Sequence, residues 1–198
     1  MAQSSTREEI IRKGANLIHA QGFNATGIQQ ILHAAGIPKG SFYFYFKSKE
    51  DFGITVIDYF NAATGEIFRR HLNDKTIPPL RRLDALFEYF EAAFAKTGNA
   101  LGCPIGNLSL ELADTNERLR AHLEAVIKEL IAEIESCLRE AKNDKSIPDL
   151  DTADTARFIF HAFEGAILHM KVAKDIEPYR AFRRYLAGYL KRKVVPHA

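Results

Sequence analysis

The sequence predicts an all-α protein of about nine helices, a three-helix N-terminal domain followed by a C-terminal helical bundle. Three observations predict it. Apolar residues recur at three- and four-residue spacing along nearly the whole chain. The breaks between those runs hold Gly, Pro or a capping Ser, Thr or Asp. The one segment with strand-like composition has no second strand to pair with. With 198 residues, 46% of them hydrophobic, the chain can bury a core without a disulfide or metal staple.

The elements follow in order. Thr6-Arg7-Glu8-Glu9 fits a capping box, and Ile10, Ile11, Leu17 and Ile18 follow at helical spacing, so a first helix runs to Gln21 with Gly22 past its end. Thr26-Gly27-Ile28-Gln29 repeats the box and opens a short helix, Ile28, Ile31 and Leu32 inward, stopped at Gly36. Pro38 suits the first turn of a third helix through Lys47. Phe42-Tyr43-Phe44-Tyr45-Phe46 favours strand by composition, but it lies between a helix-starting Pro and a capping Ser, and is read as helix. Ser48 caps a fourth helix from Lys49 to about Leu72, striped by Phe52, Val56, Tyr59, Phe60 and Ile67. After Pro78-Pro79, a fifth spans 79–96 with Leu83, Leu86, Phe87, Phe90 and Phe94 on one side. A sixth runs from Pro104 to about Ala113. Asp114 is expected to cap a seventh, with Leu119, Leu123, Val126, Leu130, Ile134 and Cys137 inward. A polar break over 143–150 precedes the eighth, capped by Asp151 and ending near Lys174. Pro178 starts the ninth, which ends near Lys193.

Charge is distributed unevenly. Lys and Arg number 27 against 25 Asp and Glu, a net of +2. Residues 1–50 hold six basic groups (Arg7, Arg12, Lys13, Lys39, Lys47, Lys49) and three acidic ones (Glu8, Glu9, Glu50), leaving the other 148 residues at −1. A basic segment is the electrostatic footprint of a polyanionic partner, whatever the whole-chain sum. No stretch approaches the roughly 18 apolar residues of a membrane span. The first residues carry charge before any apolar run, so they do not read as a signal peptide. The expected compartment is cytoplasmic, with both thiols reduced. Two cysteines exclude a four-Cys zinc site. There is no Gly-rich phosphate loop after a strand, no Gly-x-Ser-x-Gly and no His-Glu-x-x-His. The sequence therefore reads as a non-enzyme with no cofactor and no metal.

Residues 28–46 read as helix, tight Gly-containing turn, helix, a helix-turn-helix unit whose second helix enters the DNA major groove. The entering end offers Lys39, Gly40 and Ser41: Lys donates to guanine, Ser serves any base, and Gly lets the backbone approach. Tyr43 and Tyr45 have hydroxyls suited to phosphate oxygens, and Lys47 and Lys49 supply charge. A generic helical hairpin, in a ligand-binding or interaction protein without DNA function, would show the same elements. The basic first fifty residues argue against that alternative.

The run Ala15-x-x-Ile18, Gly22-Phe23, Thr26, Ile31, then Ala34-Ala35-Gly36-Ile37-Pro38-Lys39-Gly40-Ser41-Phe42-Tyr43-Phe44-Tyr45-Phe46-Lys47-Ser48-Lys49-Glu50, within residues 7–53, resembles the DNA-binding domain of the TetR family of bacterial transcriptional repressors. The resemblance implies that residues 1–50 read DNA and residues 51–198 bind ligand and dimerise. It implies a dimer on a palindromic double-stranded operator, released by a small-molecule inducer, with no membrane partner. It places Lys39, Ser41, Tyr43 and Phe44 in the groove and sets Tyr45 and Lys49 on phosphates. Thr26 and Gln29 would touch backbone and a base. Gly27 departs from the second Thr the family often has, and Gln29 from the Arg it sometimes uses; Gln29 serves equally well as a capping side chain.

Farther on, Ala153, Ala156, Phe160, Phe163, Ile167 and Met170 recur at 3-4-3-4-3 spacing, and Tyr179, Phe182, Leu186 and Tyr189 at 3-4-3. Such a seam suits helix packing within one chain or between two. The resemblance favours a four-helix dimer interface built on Ala156, Phe160, Phe163, Ile167, Met170, Phe182, Leu186 and Tyr189. Cys103, between Gly102 and Pro104, sits at the start of the sixth helix, where the dipole favours thiolate, although a lone Cys equally serves as a small core residue. Gly102-Cys103 followed by Asn107, Leu110, Glu111 and Asp114 resembles a TetR subgroup that includes the N-ethylmaleimide-responsive repressor, which implies a reactive electrophile as inducer. Tyr59, Phe90, Phe94, Asn107, Phe160, His161 and Glu164 are candidate pocket wall beside Cys103, and their Phe members would equally form plain core. Cys137, mid-helix on an apolar stripe, reads as core.

Overall fold

The structure is a computed structural model that describes residues 2–96, 98 and 101–190, with side chains for these except residues 2–5 and 39. Among the described residues it is all α, with nine helices and no strand: α1 (Ala2–Gln21), α2 (Ile28–Ala35), α3 (Phe42–Tyr45), α4 (Lys49–Leu72), α5 (Pro79–Lys96), α6 (Pro104–Leu112), α7 (Glu117–Asn143), α8 (Thr152–Ala173) and α9 (Glu177–Tyr189).

Most helix ends lie where local chemistry puts them. Ser48 Oγ accepts the Asp51 N–H at 3.0 Å and Asp151 accepts the Asp154 N–H at 2.9 Å, so both expected caps form. Four ends differ. The first helix extends back to Ala2, beyond the expected Thr6 cap. The third is shorter than Pro38–Lys47: a 3-10 turn over Lys39–Ser41 leads into a single α turn. The seventh starts at Glu117, not after Asp114, because Asn116 Oδ1 takes the Leu119 N–H at 2.9 Å and acts as its cap. The described part of the ninth begins one residue before Pro178 and runs to Tyr189; its expected end near Lys193 lies outside the described residues.

The helices pack as two compact units. One holds residues up to 64 with 104–126, the other 65–103 with the chain from 127 onward. Packing thus does not part at residue 50, since α6 and the first turns of α7 join the N-terminal helices. The first unit is cored by Ile10, Ile31, Leu32, Phe42, Phe52 and Val56, all at most 1% exposed. The second is cored by Leu83, Leu86, Phe87, Phe163, Met170 and Tyr179. There Phe163 packs on Phe87 and Phe90 with ring centroids 5.4 and 5.3 Å away, and the buried Tyr179 hydroxyl donates to the Phe87 carbonyl at 3.0 Å. Burial holds that phenol well above its ordinary pKa, so it stays a neutral donor. Arg82, 2% exposed, donates to the Leu72 carbonyl and to Glu140, each at 2.6 Å, and the pair keeps the Glu140 carboxyl below its usual range. No helix among the described residues is long and apolar enough to cross a membrane.

Candidate nucleic-acid and ligand sites

The α2–α3 junction is built from three local devices. Gly36 ends α2 in the left-handed region (φ 69°), its N–H returning to the His33 carbonyl at 3.1 Å while the Ile37 N–H returns to Leu32 at 2.9 Å. Pro38, at φ −59°, sends the chain into the 3-10 turn, closed by the Ser41 N–H on the Pro38 carbonyl at 3.0 Å. The five-aromatic run then sorts itself by helical geometry. Phe42 and Phe46, four residues apart, turn inward with rings 5.3 Å apart and pack on Phe52 at 5.7 and 4.8 Å. Tyr43 and Phe44 face outward, 69% and 70% exposed. Tyr45 is half-buried, its ring edge-on to Phe44 at 5.0 Å. Gln29 and Gly40 are exposed and Ser41 half-buried. Tyr43 and Phe44 thus leave two large aromatic side chains in solvent on one turn.

Three sequence-derived assignments at this site change. Thr26 is fully buried, and its hydroxyl donates to the Gly22 carbonyl at 2.6 Å, closing the α1–α2 turn from inside; that side chain is not on the exposed face. The cap of α2 is therefore Gly27, whose N–H is taken by Gln30 Oε1 at 2.7 Å. Adjacent Gln29 and Gln30 let the box read in two registers, and the buried Thr26 selects the later one. Gln29 is thereby left exposed with no capping duty. Lys49 is already engaged: its ammonium stands 4.6 Å from the Phe23 ring centre and donates to the Asn24 carbonyl at 3.4 Å. Desolvation lowers its pKa, with Glu111 pulling the other way. The Lys39 side chain lies outside the described residues.

The candidate ligand residues fall in both units. Tyr59 and Asn107 belong to the first; Phe90, Phe94, Cys103, Phe160, His161 and Glu164 belong to the second. Within the second, Cys103 and Glu164 meet, the thiol donating to the carboxylate. Glu164 is half-buried as a residue, but its carboxyl sits in desolvated surroundings that push its pKa up to about 7, against the opposing pull of that hydrogen bond. Cys103 immediately precedes α6, after Gly102 in the left-handed region (φ 72°). Cys137 is the contrasting thiol: buried, donating to the Pro79 carbonyl at 3.3 Å, and pushed up to about 11 by burial. Phe90 and Phe94 stack at 6.0 Å, and Phe94 meets Tyr179 at 5.3 Å, so these two rings belong to the aromatic core. Phe160 is buried and His161 is exposed. Among the described residues no group of three His, Cys, Asp or Glu is placed to hold a metal.

Most of the expected dimer seam faces the core of its own chain. Ala156, Phe160, Phe163, Ile167 and Met170 are at most 3% exposed and Leu186 8% within a single chain, while Phe182 packs on Phe87 at 5.1 Å. They are intramolecular core between α8, α9 and α5. The outward face of the α8–α9 pair is a second stripe, on α8 offset by two residues from the first and hence about 200° around the helix. On α8 it carries Phe158, Ala162, Gly165, His169 and Val172, and on α9 Ala181, Tyr185, Gly188 and Tyr189, with Phe158, Val172 and Tyr185 53%, 74% and 79% exposed. Tyr189, 43% exposed and 5.2 Å from Phe158, is a member of the expected set on this face, and the half-buried Phe182 and the edge of Leu186 line the same groove. Both stripes have 3-4 spacing; the larger residues of the buried one made it the more visible.

Residues 10–52 match the family described as bacterial regulatory proteins, tetR family, and residues 79–186 match the tetracyclin repressor-like C-terminal domain. The chain is 34% identical over 183 residues to the transcriptional repressor DhaR of a Mycobacterium species, covering 92% of this chain and 90% of that protein. It is 27% identical over 177 residues to the repressor NemR of Escherichia coli, covering 89% of each. Among solved structures it superposes on a regulatory protein of Rhodobacter sphaeroides with a TM-score of 0.85 at 30% identity, over 92% of this chain and 97% of that one.

Proposed function

Since the chain belongs to the TetR family of transcriptional regulators, we propose that it is a repressor that binds a palindromic operator as a dimer and is released by a small organic electrophile. Residues 1–50 are the DNA reader, and 51–198 sense and dimerise. The observation that carries this is the pair Tyr43 and Phe44, solvent-facing at the end of a Gly36-turned helix pair and held there by buried Phe42 and Phe46. Gln29, Gly40 and Ser41 extend that face toward base edges, with Lys39 supplied by the sequence, and Tyr45 supplies a hydroxyl to phosphate. The second copy covers the outward α8–α9 stripe, whose exposed aromatics and small residues suit close helix pairing about a two-fold axis. That axis places two recognition helices about one DNA turn apart.

Cys103 is the reactive group of the sensor. Its thiol proton has a neighbouring acceptor in Glu164. Addition to an activated alkene forms the S–C bond, and the proton ends on the adjacent carbon, so no oxidant is required. DhaR and NemR are themselves named as repressors, which supports the sign of regulation. The test is a gel shift against an operator selected from random double-stranded DNA, over a range of salt, with and without N-ethylmaleimide. Affinity should fall steeply with salt, and N-ethylmaleimide should release wild type but not Cys103→Ser. Binding indifferent to salt and sequence removes the repressor reading; release of Cys103→Ser removes the sensing role.

A further inference from the structure

Glu111, near the end of α6, reaches 88 residues back along the chain to the α1–α2 turn. Its Oε2 accepts the Phe23 N–H at 2.8 Å and its Oε1 the Asn24 N–H at 2.6 Å. These two amides lie in the α1–α2 turn, outside either helix, and the carboxylate is their acceptor. Gly22 makes the grip possible. Its φ of 93° is left-handed, and a Cβ there would stand 3.2 and 3.1 Å from the two carboxylate oxygens. The other side of the turn is held as well: Lys49 donates to the Asn24 carbonyl and lies over the Phe23 ring. That ring is packed so closely on α4 that a Cβ at Gly53 would fall 2.8 Å from it. The bidentate carboxylate is thus a contact to the backbone of the DNA reader from a helix that supplies none of its exposed recognition face.

We propose that Glu111 is a positioning residue for DNA reading: its carboxylate fixes the α1–α2 turn, and through it the start of α2 and the exposed Gln29, Tyr43 and Phe44 face. Glu111 touches no DNA, and the proposal rests on the operator-binding reading above. A carboxylate on two adjacent N–H groups is a charge-assisted arrangement, stronger than neutral hydrogen bonds and specific in geometry. A glutamine there accepts one N–H and turns its own amide hydrogens toward the other.

The test compares wild type, Glu111→Gln and Glu111→Asp on the selected operator, by gel shift over a salt series and by amide NMR. Glu111→Gln should bind about tenfold more weakly, the scale of one lost charged hydrogen bond. Its log–log salt slope should be unchanged, because no phosphate contact is removed. The Phe23 and Asn24 amide resonances should shift upfield, with the other resonances of the folded protein in place. Glu111→Asp, which keeps the charge on a shorter stem, should recover part of the affinity; this holds the test open should the glutamine variant melt early. Equal affinity of wild type and Glu111→Gln overturns the proposal and leaves the repressor reading standing. A change in salt slope overturns it too, by making Glu111 a modulator of phosphate contacts. A wild type with no selectable operator removes both readings.

Discussion

The two compact units treat the same kind of side chain in opposite ways. Where the chain up to 64 packs with 104–126, Phe42, Phe46 and Phe52 form a small closed core that holds Tyr43 and Phe44 in solvent. In the other unit Phe87, Phe90, Phe94, Phe163 and Tyr179 form one continuous aromatic core, and the exposed rings Phe158 and Tyr185 stand on the far side of the helix pair that builds it. In both, an exposed aromatic face is one helical step from a core residue. Periodicity finds the helix; only burial says which of its faces is turned to solvent.

The sharpest way to break this contrast is to truncate one ring on each side of α8–α9. Phe163→Ala opens the aromatic core and should cost about 3–5 kcal/mol of stability, read by denaturant unfolding. Tyr185→Glu should leave the isolated fold's secondary structure intact by circular dichroism and shift the sedimentation velocity to that of a monomer, a charge having been placed on the face that the proposed dimer buries. Were Phe163→Ala instead the dissociating variant and Tyr185→Glu the unfolding one, the seam read from the sequence would regain its role between chains.

How far the sequence carries differs in the same way. The turn of the α2–α3 unit was legible because its signals are local: Gly36 stops α2, Pro38 starts the next turn, and Phe42 and Phe46 are four apart; the register of the α2 cap and the length of the third helix were not, since Gln29 and Gln30 are adjacent and the aromatic run has no sequence stop. The Cys103–Glu164 pair joins two residues named separately for the pocket, but their contact spans 61 positions and no spacing rule announces it. The outward stripe of α8–α9 was read only in part: Gly165 and Gly188 suggest close helix approach, but Ala162, Gly165 and Gly188 carry no hydrophobic signal, whereas the buried Phe160 and Phe163 do. The Glu111 grip was missed for a related reason. A carboxylate on two backbone amides leaves no sequence partner to notice: Glu111 was legible only as part of the Cys103 motif, and Gly22 only as a helix end.

A smaller effect sharpens the DNA-reading side. Tyr43→Ala and Phe44→Ala each remove an exposed ring that no intramolecular core depends on, so thermal stability should stay within about 0.5 kcal/mol of wild type. Operator affinity should drop about tenfold for each, the scale of a single lost base contact. Loss of stability comparable to that of Phe42→Ala would place these rings in the core and erase the difference between the two units.

The smallest expected effect concerns the Glu164 carboxyl. Burial pushes it up to about 7, while in the unfolded chain it ionises near its ordinary 4.5. Between those values the native state holds a proton that the unfolded state has released, so raising the pH through that window withdraws stability; above it both states are ionised and the loss is complete. Glu164→Gln mimics the neutral form and has no such slope. The melting temperatures of variant and wild type should therefore run parallel below pH 4.5. They should separate steadily up to pH 7 with wild type falling behind, then keep a constant gap. Cys137, pushed up to about 11, is silent over this range. Cys103→Ser, whose hydroxyl can still donate to the carboxylate, should retain the wild-type slope. A gap independent of pH would mean that the carboxyl is solvated in the folded chain and not poised beside the thiol as a proton acceptor.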